Sequence, residues 1–72
     1  PYGFDKVDGR LIENPIEQRW VKVILSLRND ENKTFDYIKD FLNQENAPTK
    51  KGTSNWTKKV VFGIYNYHSK IQ

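Results

Sequence analysis

The sequence of 72 residues predicts a mainly α fold of α+β character: three short helices in a helix-turn-helix-like module, preceded by an N-terminal β-hairpin. Three features predict it. An Asp8-Gly9 pair separates two short β-prone runs, apolar residues recur at helical spacing in three later segments, and each segment opens on a residue suited to cap a helix.

The hairpin is expected over residues 2–12, where Tyr2, Phe4, Val7, Leu11 and Ile12 surround Asp8-Gly9, a two-residue hairpin signal. Polar Asp5 and Lys6 keep it small. The first helix is expected over about residues 15–28 and opens with Asn14-Pro15-Ile16-Glu17. Asn14 is suited to cap, Pro15 fits the first helical position, and Glu17 stands three residues after the cap, where it would close a capping box. Ile16, Trp20, Val23, Ile24 and Leu27 then form the stripe expected to face the core, with Trp20 its largest member.

Polar Asn29 to Lys33 interrupts the pattern, and Thr34 offers the next cap, for a second helix over residues 34–46. Phe35, Ile38, Phe41 and Leu42 mark its apolar face, Asp36, Lys39, Asp40 and Gln44 its outer face, and Pro48 prevents continuation. The third helix is expected over residues 57–68, with Thr57 as cap after Trp56. At about 100° per residue, Val60, Val61, Ile64 and Tyr67 cluster inward, while Lys58, Lys59, Phe62, Gly63 and Asn66 cluster outward. Gly63 lowers helix stability by about 1 kcal/mol relative to Ala. Close backbone approach to another molecule and a locally weak helix both account for it.

Residues 1–72 are expected to form one domain, and a chain this short buries only about 60% of its unfolded surface. Cysteine is absent and His68 is the single histidine, which excludes disulfides, thiolate zinc sites and paired-histidine centres. Packing must therefore supply the stability, and two Trp, four Tyr and four Phe are available for it. No apolar run is long enough for a membrane span, and Pro1 to Arg10 lack the order of a signal peptide, so a cytoplasmic location away from membranes is expected. The chain contains no Met and starts at Pro1, which reads as a domain excised from a larger protein.

Charge is polarised along the chain. Residues 1–45 hold seven Lys or Arg against nine Asp or Glu, for −2; residues 46–72 hold five Lys and no acid, for +5, and the total is +3. Lys50 and Lys51 lie in a Pro- and Gly-bearing loop, and Lys58 and Lys59 lie in the first turn of the third helix. A basic loop leading into a basic helix is the electrostatic footprint of a module that lays one helix against nucleic-acid phosphates.

Catalytic chemistry has little to stand on, and no catalytic residue, metal ligand or cofactor is expected. His68 falls on the inward side of the third helix with no Cys and no Ser–carboxylate arrangement beside it. Asp30, Asn32 and Thr34 have calcium-loop spacing, but Phe35 stands where that loop needs Gly and Phe41 where it needs a bidentate Glu. Lys51-Gly52-Thr53-Ser54 lacks the upstream glycine of a phosphate-binding P-loop.

The order of motifs resembles the recombinase domain of large serine site-specific recombinases. Pro1-Tyr2-Gly3-Phe4 is similar to that domain's proline–aromatic–glycine–aromatic opening, and Asn14-Pro15-Ile16-Glu17 to the start of its first long helix. Phe35, Ile38 and Leu42-Asn43 resemble its next helix; Pro48-Thr49, Gly52, Trp56, Val61 and Ile64 match family positions at the same spacings. The resemblance implies a DNA-binding domain that contacts attachment-site half-sites during integration and excision. Its implied partner is double-stranded DNA, on which the parent protein would be oligomeric. It also implies that the nucleophilic Ser belongs to a separate domain, because Ser26, Ser54 and Ser69 have no matching context.

The resulting candidate DNA-binding residues are Lys50, Lys51, Thr57, Lys58, Lys59, Phe62, Gly63 and Asn66. The lysines are expected on phosphates. Family members often carry Arg where this chain has Phe62 and Gly63, so base reading falls to Phe62 on a thymine methyl and Asn66 on adenine. The competing class is a protein-interaction module, with Phe62, Tyr65 and nearby lysines docking an acidic partner.

Overall fold

The computed structural model describes residues 1–71. Two strands, β1 (Phe4–Val7) and β2 (Arg10–Glu13), pair antiparallel, with Val7 opposite Arg10 and Phe4 opposite Glu13. Asp8 and Gly9 turn between them with φ of 51° and 77°, the positive pair that a type I′ turn requires. The strands end at Glu13, one residue past the expected limit, and Tyr2 and Gly3 lie outside them. All of β2 is exposed, so the hairpin adds little to the core.

Three helices follow: α1 (Pro15–Asn29), α2 (Phe35–Gln44) and α3 (Lys58–Ile71). Asn14 caps α1 by accepting the Glu17 amide at 3.0 Å, and Thr34 caps α2 by accepting the Tyr37 amide at 3.0 Å. The capping box does not close. The Glu17 carboxylate turns inward and accepts from the Gly3 amide at 2.8 Å, while the Asn14 amide donates to the Gly3 carbonyl at 2.9 Å. Helix α2 stops at Gln44, two residues short of expectation. Asn46 adopts φ 57°, and the Ala47 amide reaches the Leu42 carbonyl at 3.0 Å in a Schellman closure before Pro48 is reached. Helix α3 runs three residues beyond residue 68, because nothing in its last turn breaks the periodicity.

The core comprises Tyr2, Val21, Ile24, Leu27, Ile38, Leu42, Ala47, Trp56 and Val61. In α1 the buried stripe is Glu17, Val21, Ile24 and Leu27, a rotation of about one residue from the expected face. Ile16 is 62% exposed, and Trp20 and Val23 only flank the core. The rotation follows from Glu17, whose side chain must face the N-terminal segment that it binds. The buried tryptophan is Trp56, at 2% exposure. Its indole N–H donates to the Ala47 carbonyl at 2.8 Å, and the edge of Tyr2 meets its ring at a centroid distance of 5.3 Å. Asn43 clamps the same residue on both backbone polar groups, donating to its carbonyl at 3.1 Å and accepting its amide at 2.8 Å.

The N-terminal segment ties the helices together. The Tyr2 hydroxyl donates to the Pro48 carbonyl at 2.6 Å, and the Tyr2 carbonyl accepts from His68 Nε2, at 2.7 Å, on α3. A carbonyl oxygen only accepts, so that histidine carries its proton on Nε2. Gly3 has φ 101°, and a Cβ there would stand 3.0 Å from Gln18 Nε2 and 3.1 Å from His68 Cε1. Only glycine combines that backbone with that crowding.

Trp56→Ala should cost about 3–5 kcal/mol, against a markedly smaller loss for half-buried Trp20→Ala. Chemical melts of both variants test the ranking, and equal losses would contradict the packing described. A second expectation concerns alkali. Burial, and then the Glu17 charge, push the Tyr2 phenol well above its ordinary 10.0. The folded chain thus holds this proton more tightly than the unfolded chain, so stability is fully present below about pH 10 and falls as pH rises beyond it. Tyr2→Phe should cost about 1 kcal/mol at neutral pH, by losing one hydrogen bond, and should flatten the alkaline decline. Melting temperatures from pH 7 to 11 would reveal both.

Candidate nucleic-acid interface

The loop between α2 and α3 is built on a turn in which the Gly52 amide donates to the Thr49 carbonyl at 2.8 Å, with Gly52 at φ 83°. Lys50 and Lys51 occupy its two central positions and have opposite fates. The Lys50 ammonium lies 2.9 Å from Glu17 Oε1 and 3.3 Å from Asp5 Oδ1, and it also donates to the Phe4 carbonyl. Desolvation alone would lower its pKa, but the hydrogen bonds and charges of Glu17 and Asp5 outweigh that and leave it above the ordinary lysine value. Lys50 therefore fastens the loop to the hairpin and α1; it is not a free cation awaiting phosphate. Sequence spacing does not distinguish the two lysines, because the carboxylates that hold Lys50 lie 33 and 45 residues away.

Lys51 stays in solvent without a carboxylate partner among the described residues and borders a hollow of about 260 Å³ with Thr49, Lys50, Thr53, Asn55 and Val60. Thr57 caps the start of α3 by accepting the Val60 amide at 3.3 Å, so its side chain is engaged in opening the helix. Lys58 and Lys59 are exposed in the first turn, where the helix carries no acidic residue. Ion pairs among the described residues engage only Lys39 and Lys50. First-turn cations oppose the helix dipole, and an anion bound at that end would relieve the opposition.

Helix α3 is also turned relative to expectation. Val61 and His68 are buried and Ile64 and Tyr65 half-buried, whereas Val60 and Tyr67, expected inward, are 43% and 40% exposed. The reason is tertiary: the N-terminal segment binds His68, and α1 and α2 pack on α3, while the Val60–Tyr67 flank faces Pro1 and Tyr2 only across an open cleft. The solvent line opposite Val61 and His68 comprises Lys59, Gly63, Asn66 and Lys70, all exposed. Lys70 belongs to this line although it lies beyond the helix end expected at residue 68. It lies three turns after Lys59, and a helix continued past residue 68 would have included it.

Phe62 is 48% exposed, but its ring is not free. It meets the edge of Phe35 at 5.3 Å, and Tyr65 meets the same ring at 5.4 Å, so the three aromatics join α3 to the start of α2. Arg28 stacks on Phe35 from α1, with its guanidinium 4.6 Å from the ring centroid. Phe62 thus packs at the flank while remaining half exposed, and Asn66 is the expected base-facing residue whose side chain lies on the solvent line, beside exposed Gly63.

Lys50→Ala should lower the melting temperature, by removing the cation from an almost buried carboxylate, while Lys51→Ala should leave stability within about 0.5 kcal/mol of the parent. Parallel thermal melts decide it; equal effects would return Lys50 to the free surface. The chain matches no family model, no curated protein and no solved structure.

Proposed function

We propose that this chain is a duplex-DNA-binding module that lays α3 in the major groove and sets the Lys51 loop on the phosphate backbone. One observation carries the reading: Lys51, Lys58, Lys59 and Lys70 all face solvent on α3 and its adjoining loop, in a stretch with no acidic residue after Glu45. The one loop lysine with carboxylate partners, Lys50, is ion-paired to Glu17 and Asp5 and leaves the others unopposed. Exposed cations that meet phosphates release condensed counterions, which supplies affinity for any duplex.

The order of motifs supports placing this module in a serine site-specific recombinase, where it would contact attachment-site half-sites. Strand cleavage would then belong to another domain, oligomerisation to the parent protein on DNA, and the location to the cytoplasm. Among the described residues no helix is long and apolar enough to cross a membrane. Docking of an acidic protein through Phe62 and Tyr65 has less support, because both rings already pack against Phe35.

Titration of the parent against a random duplex at several salt concentrations should give a linear fall of log affinity with log salt. Lys51→Ala and Lys59→Ala should each reduce that slope by about one unit and weaken all duplexes alike. Unchanged slopes in both variants would refute phosphate contact by this face.

A further inference from the structure

Beside its lysine line, α3 borders an open cleft of about 350 Å³, lined by Pro1 and Tyr2 on one side and by Val60, Gly63, Ile64, Tyr67 and His68 on the other. Val60 also lines the hollow beside Lys51, so the basic loop and this cleft adjoin. Internal packing explains neither its exposed walls nor its glycine. Val60 and Tyr67 remain open to solvent, and a Cβ added at Gly63 would meet no heavy atom within 4 Å. Alanine would fit there and strengthen the helix. A bare position on the solvent line instead lets an external partner approach the α3 backbone closely.

The charge of the surroundings selects the class of that partner. Lys59 and Lys70 run along one side of Gly63 and Lys51 lies beyond Val60, so a polyanion can bridge cations on both sides of the cleft. In the DNA major groove the apolar group presented by the bases is the C5 methyl of thymine, and adenine offers N6 and N7 to an amide. Asn66 stands on the same solvent line as Gly63.

We propose that the cleft walled by Val60 and Tyr67 over Gly63 receives thymine C5 methyl groups, with Asn66 facing an adenine edge, so that α3 prefers A·T pairs. This inference rests on the DNA-binding reading above. It moves methyl recognition from Phe62, whose ring is engaged by Phe35, to the opposite flank of the helix.

The test compares the intact chain on two duplexes of equal length, one of alternating dA and dT, the other with uracil replacing every thymine, at about 50 mM salt. The two carry the same charge and hydrogen-bonding edges and differ in the methyl. The parent should bind the thymine duplex more tightly, by about fourfold for each methyl buried. Tyr67→Ala, which removes a wall, and Gly63→Leu, which fills the cleft, should each bring the thymine-to-uracil affinity ratio down to about one; Gly63→Leu, which also obstructs close approach to the helix, should weaken both duplexes. Circular dichroism melts establish that each variant is folded. Equal affinity of the parent for both duplexes, with steep salt dependence, overturns the methyl cleft and leaves the DNA reading intact. A thymine preference retained in both folded variants also overturns it. Failure of the folded parent to bind either duplex overturns the DNA reading and this inference with it, as does stronger binding to polyglutamate than to either duplex.

Discussion

The nearly buried carboxylate of Glu17 is the constraint on which the rest of the structure depends. At 7% exposure it has lost most of its water, and it accepts instead from the Gly3 amide and the Lys50 ammonium. Burying an ionised group is unfavourable unless it is paired and hydrogen-bonded, so both partners must be in place for the fold to close. One partner precedes the hairpin and the other lies in the loop before α3. The carboxylate therefore brings three distant parts of the chain to one point. It also sets the rotation of α1, because the face that presents Glu17 is the face that carries Val21, Ile24 and Leu27 inward.

Around that junction, the N-terminal segment substitutes for a larger hydrophobic core. Tyr2 packs edge-on against Trp56, bonds the Pro48 carbonyl with its hydroxyl, and offers its own carbonyl to His68. Gly3 lies between α1 and α3 at φ 101°, where a Cβ would crowd Gln18 and His68 at 3.0–3.2 Å. A chain of this length has little surface to bury, and directional bonds to an N-terminal turn, closed by the Phe4 amide on the Pro1 carbonyl at 3.1 Å, hold the helices where apolar area is scarce. His68, a lone titratable residue on an apolar helix face, has its role within this arrangement.

The same arrangement separates internal charge from external charge. Glu17 and Asp5 pair with Lys50, and the neighbouring turn residue Lys51 is left without a carboxylate partner among the described residues, beside the start of α3. Because the hairpin and α1 supply the acids while the loop and α3 supply only cations, pairing at the junction leaves the α3 face uniformly basic. Stability and the proposed binding surface thus arise from one distribution of charge. The cost of Gly63 in the helix and the exposure of Val60 and Tyr67 fall on that face, away from the packed side.

Local chemistry determined the elements. Asp8-Gly9 specifies the hairpin turn, Asn14-Pro15, Thr34 and Thr57 specify three helix starts, and the absence of acids after Glu45 specifies the basic third, since each of these depends on neighbours in sequence. Which face of each helix points inward was decided by tertiary structure. Periodicity identifies an apolar stripe to within about one residue, and the final rotation is set by partners distant in sequence: Gly3 and Lys50 for α1, the Tyr2 carbonyl for α3. For the same reason, the spacing of Trp20 marked it as core while the loop residue Trp56 took that place, and the exposure of Val60 and Tyr67 and the packing of Phe62 on Phe35 could not be read from spacing. Lys50 and Lys51 are identical in type and adjacent in sequence; only the fold, by bringing carboxylates to one of them, made the first a fastening and left the second a free charge.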